Sequence, residues 1–184
     1  RLPGPIWARP AVGGLVVGLL GTGVALVLER TLGPQARAFG VFGGGYGVVQ
    51  AALDGPAWLG TGLATALLLG GLAVAKIAAS ALTIGSGSAA GDFAPSLVIG
   101  ALVGCAFGHG ALTLAGAGAP SPTAFALVGM GTLYGGVAHA PLSAVVLVSE
   151  LAGSYDLLVP MMLTVGIAYV ALRRWSVYPA QPGG

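Results

Sequence analysis

The chain has 184 residues, of which only 7% are charged and 56% apolar, and its mean hydropathy is +0.94. Soluble domains carry roughly 25% charged residues, so this composition excludes one and places the chain in a bilayer. A net charge of +2 without clustered Lys and Arg excludes nucleic acid as a partner, and a single cysteine excludes an internal disulfide.

Taken in chain order, the opening Arg1-Leu-Pro-Gly-Pro5 reads as a loop without an initiator Met or signal peptide, so the chain is expected to be truncated. A spanning helix is predicted from about Pro10 to Glu29, closed by Gly33-Pro34. Ala38 to Asp54 holds a triple glycine and then only a turn or two of helix, which predicts a re-entrant or partial helix. Asp54-Gly55-Pro56 is a turn, and Trp58 after it suits a membrane interface. A long helix is expected from about Ala57 to Ile84. It contains Lys76, which is expected to reach water, pair with a carboxylate or line an aqueous vestibule.

A glycine-rich break, Gly85-Ser-Gly-Ser-Ala-Ala-Gly91, separates that helix from one beginning at Asp92 or Phe93 and running to about Phe107, where Gly108-His109-Gly110 is expected to end or kink it. Ser121-Pro122 opens the next helix with Pro at its first position. A break at Tyr134 to Pro141 then leads into a short helix of about ten residues ending near Glu150. Gly153 to Asp156 precedes the last apolar stretch, Leu157 to Leu172, and Arg173-Arg174 beside it points to a cytoplasmic C-terminus. Gly13-Gly14, Gly18, Gly21 and Gly70-Gly71 read as helix contact faces, and Cys105 as a small buried hydrophobe.

The chemistry concentrates at Gly91-Asp92-Phe93-Ala94-Pro95. A helix start leaves N–H groups without intrahelical partners and carries a partial positive charge, and a glycine break before it lets an anion approach closely. Several helices are shorter than a bilayer and are interrupted by Gly and Pro, the pattern of transporters with a site at the ends of broken helices. Asp92 is expected to use its side chain as a helix cap, since a bare carboxylate beside an anion would repel it. Glu150, near a helix C-terminus, is expected to need a nearby donor. Ser86 or Ser88 with His139 supply the residue types of a serine nucleophile and base, but only geometry could make them an intramembrane protease.

On these residues the chain resembles the CLC family of chloride channels and chloride/proton antiporters. Gly91-Asp92-Phe93-Ala94-Pro95 is similar to the family's G-x-F-x-P anion-binding signature, with Asp92 where an apolar residue is commoner. Leu127 to Glu150 looks like the helix pair that follows it, and Tyr178 sits where the family places a tyrosine at the start of its last membrane helix. The similarity runs from about Pro10 to Gln181.

The resemblance implies an all-α membrane protein of several transmembrane and broken or partial helices, one half of an inverted-repeat fold. Residues 1–184 would be the C-terminal half of an anion transport domain whose N-terminal half is absent. It further implies chloride held by Gly91, Asp92, Phe93, Ala94 and the hydroxyl of Tyr178, with no cofactor, no metal and no enzymatic activity. Tyr178 read without the family is an interfacial tyrosine. The gating glutamate of a G-K/R-E-G-P motif and the proton glutamate of antiporters are not found, and neither Glu29 nor Glu150 lies in such a context. A homodimer is implied, with part of its contact from Leu142 to Leu172, in the plasma (inner) membrane of a prokaryote. The alternative is a membrane packing fragment that conducts nothing without its missing half.

Overall fold

The computed structural model describes residues 8–34, 45–55, 59–88 and 90–175. Trp58 and Tyr178 lie outside the described residues. Within them the chain forms seven α-helices: α1 (Ala8–Leu32), α2 (Tyr46–Asp54), α3 (Leu63–Gly85), α4 (Phe93–Ala115), α5 (Pro122–Val137), α6 (Pro141–Ala152) and α7 (Leu158–Ala171). Three of these, α1, α3 and α4, are long and apolar enough to cross a membrane, whereas α2, α6 and α7 are too short to do so unaided.

The central contact is α4 against α5, and it is made by backbone. Gly100, Gly104 and Gly108 follow one another at four-residue spacing along α4, on one face of the helix. A Cβ at Gly100 would strike the Gly129 carbonyl oxygen, one at Gly104 the Phe125 carbonyl oxygen, and one at Gly108 would lie 2.7 Å from Pro122 Cα. Lipid offers apolar side chains no reason to leave it, so association rests on close van der Waals contact, which these glycines allow. A second set on α5 faces α7: Gly131 seats Met161, Gly135 seats Val165, and Gly136 seats Ala168 and Leu172. Thr132 Oγ1 adds a hydrogen bond of 2.8 Å to Thr164 Oγ1 across that interface.

The glycines chosen from sequence as contact residues are only partly the ones that pack. Gly13 meets the Ser86 side chain and Gly21 is buried, but Gly14, Gly18, Gly70 and Gly71 face open space. Nor does Gly108-His109-Gly110 end α4, which runs on to Ala115 and stops at Gly116 with φ 65°. Gly108 is there for the approach of Pro122 and Phe125, a tertiary reason that leaves the helix intact. Lys76 is buried inside α3, which continues to Gly85.

The caps follow the sequence more closely. The Ser121 hydroxyl accepts from the Ala124 N–H at 3.2 Å with Pro122 at the first helical position, and Gly55 and Gly153 close α2 and α6 in the left-handed conformation. His139, in the turn between α5 and α6, adopts φ 55°. Its Nε2 lies 3.2 Å from the Leu172 carbonyl and its ring packs edge-on to Tyr169, tying this turn to the end of α7. Glu150, on the last turn of α6, receives its donor from the next loop, the Tyr155 hydroxyl. That bond and the negative charge of Glu150 hold the phenol proton, raising the Tyr155 pKa above its ordinary value of 10.0.

Two outcomes are expected from this architecture in the full-length protein. Gly100→Val or Gly104→Val should lower the midpoint of thermal unfolding by overpacking worth about 1–3 kcal/mol or more, whereas Gly70→Ala, facing open space, should be neutral or slightly stabilising. In an alkaline absorbance titration Tyr155 should ionise later than a free tyrosine, and Glu150→Gln should bring it back toward the ordinary value.

Candidate anion site at the start of α4

Helix α3 ends in a turn: the Ser86 N–H donates to the Leu82 carbonyl at 3.0 Å, and Gly87, at φ 85°, donates to the Ile84 carbonyl at 3.0 Å. Of the described residues between Gly85 and Phe93 none belongs to an α-helix, so the predicted break between two long apolar helices is present. Within it Ser86 is buried against Gly13, its hydroxyl 2.7 Å from the Thr83 carbonyl and 3.1 Å from the Ser88 hydroxyl. These serines and His139 spend their described hydrogen bonds on different partners, so no nucleophile and base pair is assembled among them.

The first bond of α4 runs from the Ser96 N–H to the Asp92 carbonyl at 3.1 Å, and the Ser96 hydroxyl donates to the same oxygen at 2.6 Å. Pro95 has no N–H. The helix itself therefore provides no partner for the N–H groups of Asp92, Phe93 and Ala94. The expectation that the Asp92 side chain would cap them is corrected here: it makes no cap hydrogen bond. Its backbone, at φ −85° and ψ −16°, is already helical, whereas a capping side chain reaches back to the second or third N–H from an extended backbone.

Gly91 is exposed, with open space where a Cβ would stand, and Ala94 is half-buried. Phe93 is 36% exposed and meets Tyr134 of α5 edge-on, with ring centroids 5.0 Å apart and an interplanar angle of 88°. Tyr134 is the neighbour that sequence reasoning missed as part of this region; it stood only as the start of a predicted break, and the period of α5 alone does not reveal that it reaches the first turn of α4. The structure thus brings Gly91, Asp92, Phe93 and Ala94 together at one helix start, while Tyr178 lies beyond the described residues. Cys105 is buried within α4, its sulfur 3.8 Å from the Ala52 carbonyl, which is the packing role expected of it. No group of three or more His, Cys, Asp or Glu that could hold a metal ion occurs among the described residues.

Comparison with known proteins agrees with this architecture. Residues 1–173 match the model of the voltage gated chloride channel family. A ClcB-like chloride channel protein of Ralstonia nicotianae is 37% identical over 170 residues, covering 92% of this chain and 34% of that protein. The voltage-gated ClC-type chloride channel ClcB of Salmonella typhimurium is 33% identical over 177 residues, and its counterpart in Escherichia coli K12 is 30% identical over 177; each match covers 95% of this chain and 37% of the relative. The chain thus spans about a third of the length of the curated relatives it matches. With an all-helical fold, three helices able to cross a membrane and a family model matched along nearly its whole length, the chain belongs to the voltage-gated chloride channel family of integral membrane proteins.

Proposed function

We propose that the full-length protein containing this chain moves chloride, or a similar small anion, across a membrane. The anion is held at the start of α4 by the N–H groups of Asp92, Phe93 and Ala94, reached past Gly91, with the Tyr178 hydroxyl as a further donor. The observation that carries this reading is the helix start whose N–H groups are taken up neither by the helix nor by the Asp92 side chain. The donors are neutral, and no Lys or Arg lies between Lys76 and Arg173. Partial charges bind an anion without trapping it, as conduction requires. The relatives named as chloride channels support the same ligand.

The chain is the C-terminal half of a two-half transport domain and conducts nothing by itself, because a pathway lined from two sides cannot be closed by one. The complete protein is a homodimer in the inner membrane of a prokaryote, in keeping with its bacterial relatives, and α6 and α7 supply part of the contact. Leu142, Val146, Val159, Leu163, Ile167 and Val170 are exposed on those two helices and available to a twin.

The decisive experiment removes one donor without changing a side chain. An amide-to-ester replacement at the Phe93 N–H in the full-length protein should weaken chloride binding, measured by calorimetry, by about 1.5–3 kcal/mol, on the order of ten- to a hundredfold. Unchanged affinity would remove the N–H groups of this helix start from the site. These 184 residues reconstituted alone should give liposomes without selective chloride flux; selective flux from them would overturn the half-domain reading.

A further inference from the structure

Lys76 is the only Asp, Glu, Lys or Arg buried among the described residues, at 4% exposure, and the proposed site gives it no part. It belongs to the stripe of α3 that is buried, together with Leu69, Leu72, Ala73 and Ala79. An apolar side chain would fill that stripe without the cost of holding an ammonium inside a bilayer, so packing does not account for it.

Its level in the bundle follows from the contacts of α4. A Cβ at Gly62, before α3, would stand 3.6 Å from Thr113 Cγ2, and the other end of α3 leads through the break to Phe93, so α3 and α4 run antiparallel. Lys76 is fourteen residues beyond Gly62, and the residue fourteen before Thr113 is Ile99, six past Phe93. That sets Lys76 about 9 Å behind the α4 start along the axis and about 9 Å to its side, roughly 13 Å between backbones.

Helix α2 begins at the same level. A Cβ at Gly45 would lie 3.0 Å from Val98 Cγ1, and the start of α2 carries no side-chain cap. The partial positive end of α2 and the lysine therefore share one layer behind the first turn of α4. A unit charge at 13 Å, in the effective dielectric of a partly buried pair, strengthens the binding of a monovalent anion by about five- to fifteenfold. At that distance it attracts without coordinating, so release is not hindered as it would be by a direct ammonium ligand.

We infer that the Lys76 ammonium is a fixed charge that raises the affinity of the anion site at the start of α4 from a distance, without touching the ion. The inference rests on the site proposed above.

The test is calorimetric binding of chloride and of bromide to the full-length protein. Lys76→Met keeps an unbranched chain and removes the charge; it should weaken both anions by the same factor, about five- to fifteenfold. Lys76→Arg keeps the charge and should stay within about twofold of the native protein. Unchanged affinity in Lys76→Met would overturn the inference. So would an Arg variant that falls as far as the Met variant, which marks a packing role, or a loss that differs between the two anions, which marks a reshaped site. If Lys76→Met does not assemble, Lys76→Gln takes its place under the same criteria. A weakened Phe93 ester beside an unaffected Lys76→Met sinks this inference and leaves the site standing. An ester without effect removes the site from α4, and the distance argued for Lys76 falls with it.

Discussion

The rest of the structure depends on the backbone-to-backbone approach of α4 and α5. Gly100 meets Gly129, Gly104 meets Phe125 and Gly108 meets Pro122, an antiparallel register in which one number falls as the other rises. The next meeting along the same line is Phe93 with Tyr134, the edge-on ring pair at the first turn of α4. The glycines therefore do more than bring two helices together. They set the longitudinal position of α4, and with it where its unpaired N–H groups stand relative to the end of α5. Because α5 is itself clamped to α7 through Gly131, Gly135 and Gly136, a shift at any of these contacts would be carried to the helix start.

Polar groups elsewhere in the bundle are mostly turned inward on their own helices. The hydroxyls of Thr31, Thr83, Thr113 and Thr132 bond to carbonyls three or four residues earlier, and Thr65 and Thr123 bond to the Leu59 and Leu53 carbonyls in neighbouring segments. In hydrocarbon such bonds avoid a cost of several kcal/mol for each unsatisfied group. Against that background the first turn of α4 differs. Its Ser96 hydroxyl joins the Ser96 N–H on one carbonyl, Pro95 has no N–H to satisfy, and Asp92 withholds its side chain. The backbone groups left over there are donors, and the Asp92 carboxylate, which caps none of them, is an acceptor beside them.

Much of this was legible in the sequence because the governing signals are local. Apolar runs bounded by Gly and Pro announced α1, α3, α6 and α7, Ser121-Pro122 announced the cap of α5, and the Gly85 to Gly91 run announced the break before α4. What the sequence could not disclose depends on contacts between distant segments. Gly108 looked like a helix terminator because its reason, the approach of Pro122 and Phe125, is tertiary. Gly14, Gly18, Gly70 and Gly71 looked like contact residues because small residues between large ones carry no mark of which way the helix faces. The Asp92 cap was expected from residue type, yet a single backbone angle decides whether a side chain can reach back. Tyr134 escaped notice because aromatic contacts across antiparallel helices follow from register, and register is set by the glycines.

The unpaired N–H groups at the α4 start have a consequence for the complete protein under the proposed function. Three N–H groups fan from one helix end and can contact an ion over only part of its surface, and a partly dehydrated anion loses more on leaving water than so few neutral donors return. Donors from other elements must meet the remaining surface. One is expected from the Tyr178 hydroxyl, and the rest from the portion of the protein outside this chain, which accounts for about two-thirds of the length of its relatives. Divided in this way, no single element binds the ion strongly, and release requires only that one set of donors withdraw. The glycine register that fixes α4 relative to α5 then acquires a functional meaning, since a donor set that must match another across a gap tolerates little axial error.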